Sequence, residues 1–242
     1  MSIGGVVFLF AASVLAGAVN AVAGGGTLLS FPAAMAAGLS PVVANATNAV
    51  AMVPGSLAAA WTFRRYLKGL GGLTAALAVP AIVGALLGAM ILRNTPQRLF
   101  DGIVPWLVLG ATVIILVQGL AVRRVPPGSK DATTPASASA SASVPTGRQT
   151  MWPLVLGLQL LVSIYGGYFG AAMGIIMLAF LGHVAIRGGG DRLSLHQMNA
   201  VKNVLAVIIN GTASIDFMVH GLVRPIPALL MAGGAITGGV VG

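Results

Sequence analysis

An all-helical membrane protein that crosses the bilayer many times is the fold class this sequence predicts, and three observations predict it. Only 7% of the 242 residues are charged while 57% are hydrophobic, against about 25% charged in soluble domains. The apolar residues run in stretches of about 20, the length that crosses a bilayer as a helix. The 34 glycines fall inside those stretches, as at Gly84–Gly88 and Gly233–Gly242, where small residues let transmembrane helices approach closely.

The net charge of +9 does not indicate nucleic acid, because the basic residues are scattered between apolar segments and form no patch interleaved with aromatics. They read as topology signals, since Lys and Arg mark cytoplasmic loops. Cysteine is absent, which excludes disulfides, thiolate metal sites and cysteine nucleophiles. With four acids in the chain, paired-carboxylate catalysis and acidic metal sites find no support, and no nucleophile stands beside a base. The chain is expected to be no enzyme and to need neither cofactor nor metal.

The first span covers residues 3–23. It lacks the basic leader of a secretory signal and runs on into further membrane sequence, so it is expected to be retained. Gly24-Gly25-Gly26 follows with no polar loop, then a piece at 27–38 too short to span comfortably. Residues 42–63, 70–92 and 98–121 are the next spans, the first closed by Arg64, Arg65 and Lys68 and the second by Arg93-Asn94-Thr95-Pro96. At 122–150 the composition changes to Arg-Arg, Pro-Pro and an Ala-Ser alternation, which has little to bury and is expected to be a flexible linker. The second half opens on 151–184, interrupted at Gly166, Gly167, Gly170 and Gly174, passes a hydrophilic loop at 187–196, and ends with spans 197–219 and 225–242. About seven spans thus divide between a first repeat, 1–121, and a second, 151–242.

The two halves match weakly. Ala81-Ile82-Val83-Gly84 falls on Ala235-Ile236-Thr237-Gly238 and Asn45-Ala46 on Asn199-Ala200, both 154 residues apart, while Gly24–Thr27 falls on Ala172–Ile175, 148 apart. If each glycine-broken element enters and leaves from one side, each half has an odd number of crossings and the second is inverted. Arg64, Arg65, Lys68, Arg123, Arg124 and the 187–196 loop are then cytoplasmic, although the two arginines at 93–98 run against this assignment. Carried onward, the offset asks for a partner of span 98–121 beyond Gly242, so the second half reads as one span short.

The polar residues inside these spans are the candidates for function. Asn20, Gly24, Gly25, Gly26 and Thr27 form a helix break, whose freed backbone groups are tolerated at membrane depth only inside protein or beside water. The helix beginning after Gly26 would present unpaired N–H groups and a positive dipole end to an anion, with the Thr27 hydroxyl as a further donor; a kink for close packing is the alternative. Asn45 with Asn48, and Asn199 with Lys202 and Asn203, share helix faces by their spacing. Those faces should turn inward, to hold a ligand or to bond between helices. Lys202 would be a fixed cation for an anionic substrate, or else would snorkel to the interface. Tyr165 and Tyr168 flank the second break and offer hydroxyl donors or belong to an interfacial belt. Asp216, His183, His196 and His220 lie at span ends, where an interfacial role is expected. The glycine triplet is no nucleotide loop, since neither Lys-Ser/Thr nor a strand accompanies it.

At these residues the chain resembles the TauE/SafE family of membrane permeases, the sulfite exporter family. The likeness rests on Asn20-Ala-Val-Ala-Gly-Gly-Gly-Thr-Leu-Leu-Ser-Phe-Pro32, on Ala44-Asn-Ala-Thr-Asn48 through Pro54-Gly-Ser-Leu57, on Tyr165-Gly-Gly-Tyr-Phe-Gly170 and on Asn199-Ala-Val-Lys-Asn203. It covers nearly the whole chain apart from the linker. It implies a multi-pass permease of the bacterial inner membrane that moves sulfite, organosulfonates such as sulfoacetate, or related anions, with substrate held at the paired motifs. Ala171-Ala172-Met173-Gly174 departs from the more glycine-rich second break usual in the family. The expected partners are a small anionic substrate, the lipid bilayer, a coupling ion (proton or sodium) and further copies of the chain. An anion channel, or a membrane assembly subunit that transports nothing, would be built from the same features.

Overall fold

Long apolar runs can satisfy their backbone in lipid only as helices, and the computed structural model, which describes residues 3–22, 24–122, 152–182 and 193–241, is helical accordingly. Nine α-helices carry the described residues: α1 (Ile3–Val22), α2 (Thr27–Ala36), α3 (Pro41–Thr62), α4 (Gly71–Asn94), α5 (Gln97–Val122), α6 (Trp152–Tyr168), α7 (Met173–Leu181), α8 (Leu195–Val219) and α9 (Pro225–Val241). A single 3-10 turn, Arg64–Leu67, joins α3 to α4. The linker expected at 122–150 lies outside the described residues except for Val122, the last residue of α5. So does most of the hydrophilic loop before Leu193. Within the stretch expected at 151–184, the described residues 152–182 form two helices, parted at the glycines.

Local chemistry explains where these helices start and stop. Ser40 precedes Pro41, a residue preorganised for the first helical turn. Ser194 and Gln197 cap α8 reciprocally, each side chain meeting the other's backbone amide. Ser40 and Ser194 stand 154 residues apart, the same offset as Asn45 and Asn199. Gly24 and Gly170 close α1 and α6 at φ of 80° and 72°, and each donates its amide to the carbonyl five residues back, Val19 and Tyr165. Left-handed glycine is the usual device for such an end.

Helices α3, α4 and α8, and α1 from Gly4, are long and apolar enough to cross a membrane by length and composition. The bundle exposes large apolar side chains, among them Trp61, Trp106, Val219 and Leu229, as suits a surface solvated by lipid. With 10 and 9 residues, α2 and α7 rise only about 15 Å, half the hydrocarbon thickness.

Glycines set the packing. A Cβ on Gly238 would lie 2.0 Å from Val14 O and 2.6 Å from Ala18 N; one on Gly88 would lie 2.1 Å from Ile164 O and 2.7 Å from Tyr168 N. Gly234 likewise presses on Phe10 and Ser13, as Gly84 does on Leu160 and Ser163. Thus α1 packs on α9 as α6 packs on α4, and every residue in one contact lies 150 positions from its counterpart. The sequence match of Ala81 with Ala235 is therefore one helical turn out, and Ala85 takes that place. Ala and Gly recur here every four residues, so sliding by a turn preserves the pattern.

The contacts also give directions. Numbering rises together along α1 and α9, and along α4 and α6, so each pair is parallel. His196 in the first turn of α8 stacks on Tyr66 just before α4, at 4.8 Å, while Arg93 at the end of α4 meets Asp216 near the end of α8. That makes α4 and α8 parallel as well. The Arg224 amide donates to Thr47 Oγ1, and Gly55 further along α3 meets Ala235, so α9 follows α3. Phe63, just past the end of α3, faces His196, so α3 opposes α8. Consequently α1, α3 and α9 point one way and α4, α6 and α8 the other.

Candidate functional site

The two helix breaks touch. A Cβ on Gly24 would come 2.5 Å from Gly174 Cα, and the reverse distance is also 2.5 Å, so only glycine pairs here. Thr27 Oγ1 donates to Gly170 O at 3.2 Å, fastening the start of α2 to the end of α6.

The asparagine-bearing helices hold the broken ends crosswise. Asn45 on α3 donates from Nδ2 to Tyr168 O, the last residue of α6, at 2.9 Å. Lys202 on α8 donates from Nζ to Asn20 O and Ala21 O, in the last turn of α1, at 3.0 and 3.1 Å, and Asn203 Nδ2 reaches Ala21 O at 3.5 Å. Helix ends carry unpaired carbonyls and a partial negative charge, which amide and ammonium donors complement. Lys202 is 1% exposed, which overturns the snorkelling alternative; it sits inside the bundle, in the second turn of α8.

The remaining predicted residues divide. Asn20 Nδ2 donates to Ser56 Oγ at 3.3 Å. Asn48 and Asn199 are buried on the inward faces, with Oδ1 of each and of Asn203 unpartnered. Tyr165 Oη donates to Ala171 O at 2.5 Å, closing its own break, so its proton is committed to the backbone. Tyr168 joins the network through its carbonyl, while its ring packs edge-on against Phe100 at 5.8 Å. Asp216 is drawn into a cluster with Arg93 and His220: Arg93 Nη1 lies 3.4 Å from Asp216 Oδ1 and also meets the His220 ring. That cluster ties the ends of α4 and α8 together, away from the breaks.

The breaks also leave donors free. The amides of Gly25, Gly26 and Thr27 donate to no backbone carbonyl among the described residues, and neither do those of Ala171, Ala172 and Gly174. Ala172 adopts φ of 59°, a left-handed conformation that costs a side-chain-bearing residue about 1–2 kcal/mol. Two cavities, of about 510 and 400 Å³, lie elsewhere, between α4 and α5 and between α4 and α6, with mostly apolar linings.

Sequence reasoning missed Ser56 and Thr47, the partners of Asn20 and of the Arg224 amide. Each is a small polar residue inside an apolar span, the signal that could have found them.

Residues 9–242 match the family described as Sulfite exporter TauE/SafE. The probable membrane transporter protein YfcA of Escherichia coli (strain K12) is 38% identical over 102 residues, which are 42% of this chain and 38% of that protein. The probable membrane transporter protein ORF9 of Sinorhizobium sp is 30% identical over 185 residues, 76% of this chain and 62% of the relative. The matches therefore span between two-fifths and about three-fifths of these relatives' lengths. No solved structure matches the chain. Because the match runs through both glycine breaks and both asparagine-bearing helices, the chain belongs to the TauE/SafE sulfite exporter family of membrane transporters.

Proposed function

We infer that the protein is a multi-pass permease of the bacterial inner membrane that moves a small sulfur-containing anion, sulfite or an organosulfonate, by alternating access. The observation that carries this reading is the meeting of two helix breaks, each with three amides that donate to no backbone carbonyl among the described residues. An oxyanion brought into a low-dielectric interior needs hydrogen-bond donors, and amides at the starts of α2 and α7 supply them together with the positive ends of two helix dipoles. The pyramidal oxygens of sulfite or of a sulfonate head accept several such bonds at once. Lys202 contributes positive charge beside the site while holding the end of α1, and two of its three N–H bonds are occupied there.

The opposite directions of α1 and α6, whose packing contacts correspond, support an inverted-repeat mechanism. One repeat rocking against the other would open the central site to each side in turn. Reconstitution into proteoliposomes tests the reading: labelled sulfite, sulfoacetate and other sulfonates are offered under an imposed ion gradient. Gradient-dependent uptake of at least one is expected. Uptake of none would sink the transporter reading, and flux indifferent to every coupling ion and above transporter turnover would replace it with a channel.

A further inference from the structure

Among the described residues, the buried hydroxyls of this bundle are hydrogen-bonded with one exception. Ser13, Ser30 and Ser163 each donate to the carbonyl four residues back. Thr27 donates to Gly170 O, while Ser56 and Thr47 accept from Asn20 and from the Arg224 amide. Ser214 Oγ has no partner among the described residues, although the residue is 3% exposed. One turn earlier on α8, Asn210 is 5% exposed, and its side-chain amide likewise bonds to nothing among the described residues. Residues four apart share a helix face, and buried polar groups are nearly always hydrogen-bonded. Two orphans on one face therefore mark a place for a polar guest.

Contacts across the bundle put that face at the breaks. Phe63 faces His196, and Ser56 and Asn203 meet the same turn of α1, through Asn20 Nδ2 and Ala21 O; the numbers in each pair add to 259. Two separate contacts thus give one antiparallel register of α3 against α8. In that register Asn210 is level with Ala49, next to Asn48, and Ser214 is level with Asn45, which holds Tyr168 O. Ile209, the neighbour of Asn210, lies against the last turn of α6: a Cβ on Gly166 would come 3.0 Å from Ile209 Cγ2 and 2.2 Å from Sδ of Met173, where α7 starts.

The repeat explains why Asn210 is left free. Its counterpart on α3, 154 positions back, is Ser56, which is occupied by Asn20, four residues before the closing Gly24. Four residues before the closing Gly170 stands Gly166, which has no side chain, and Met173 fills the space beside it. The second half carries its asparagine on α8 instead, with no partner from the broken helix.

We propose that Asn210 and Ser214 contact the transported oxyanion, with Asn210 Nδ2 and the Ser214 hydroxyl donating to it from α8, opposite the amides of the breaks. Both groups are neutral donors, so they orient the anion by hydrogen bonds and add no charge that would hold it in place. The inference deepens the transporter reading and rests on it for the identity of the guest.

Stability and uptake together separate this role from a structural one. Neither side chain has a protein partner among the described residues, so Asn210→Leu and Ser214→Ala should leave the melting temperature in detergent unchanged or raise it. Each should raise KM for labelled sulfite or sulfonate in proteoliposomes roughly tenfold, the worth of one hydrogen bond to a charged group. An unchanged KM in both variants, or a lower melting temperature in both, would overturn the assignment. A second measurement decides even where the wild type moves no anion. Ser214→Cys, placed in a chain that has no other cysteine, should react in membranes with the anionic reagent sulfonatoethyl methanethiosulfonate. Leu205→Cys, buried in the apolar cluster on another face of α8, should stay inert. An inert Ser214→Cys would also overturn the assignment. Labelling of Ser214→Cys with no uptake of any sulfur anion defeats the transporter reading alone, and uptake with unchanged KM in both variants defeats the assignment alone.

Discussion

Lys202 shows how a charge is kept inside a protein whose solvent is lipid. An unpaired ammonium at that depth would be costly, and the fold meets the cost with two carbonyls at the negative end of a helix dipole. Lys202→Met should leave Asn20 O and Ala21 O without that donor and destabilise the protein by about 1.5–3 kcal/mol, read as a lower melting temperature in detergent. Lys202→Gln should also weaken anion uptake in proteoliposomes; unchanged concentration dependence would remove the lysine's charge from the site. Thr27→Val preserves shape but deletes the bond to Gly170 O, with an expected loss of about 1 kcal/mol. Residue type and helix face were legible in the sequence, since Asn199, Lys202 and Asn203 must share a face. Their partners were not, because Lys202 and Ala21 are 181 positions apart and nothing local couples them.

At the scale of elements, the glycines separate two physical roles. Gly24 has a positive φ and also abuts Gly174 Cα; Gly38 has φ of 94° with nothing within 4 Å of a Cβ placed there. Gly38→Ala should therefore cost only backbone strain, about 1–2 kcal/mol. Gly24→Ala should cost that and a further 1–3 kcal/mol or so of overpacking. Gly174→Ala should carry the overpacking alone. Because Gly24 and Gly174 share one contact, the double substitution should cost less than the two singles combined, and additive losses in melting temperature would argue that the breaks do not touch. The breaks themselves were legible, as glycine clusters inside apolar runs. The register of α4 against α9 was not, because a pattern repeating every four residues looks the same after a slip of one turn.

For the whole molecule, the directions of the helices place Lys68, before α4, and Arg224, before α9, at opposite ends of the bundle. The natural chain has no cysteine, so Lys68→Cys and Arg224→Cys can each be made singly and both positions are exposed. A membrane-impermeant maleimide applied to intact cells should label Arg224→Cys and spare Lys68→Cys until the membrane is opened; labelling of both from one side would refute the topology. By itself the sequence determined that the protein is a helical bundle in lipid, where its helices break, and which faces are polar. Composition and spacing act locally, and a lipid solvent leaves the backbone few alternatives. Only the tertiary structure decided that each half's asparagine helix clasps the other half's broken helix, that Lys202 is buried on carbonyls, and that Gly24 meets Gly174. Those contacts join residues more than a hundred positions apart, and they are chosen by the close packing of small residues across helices, a geometry that no single stretch of the chain contains.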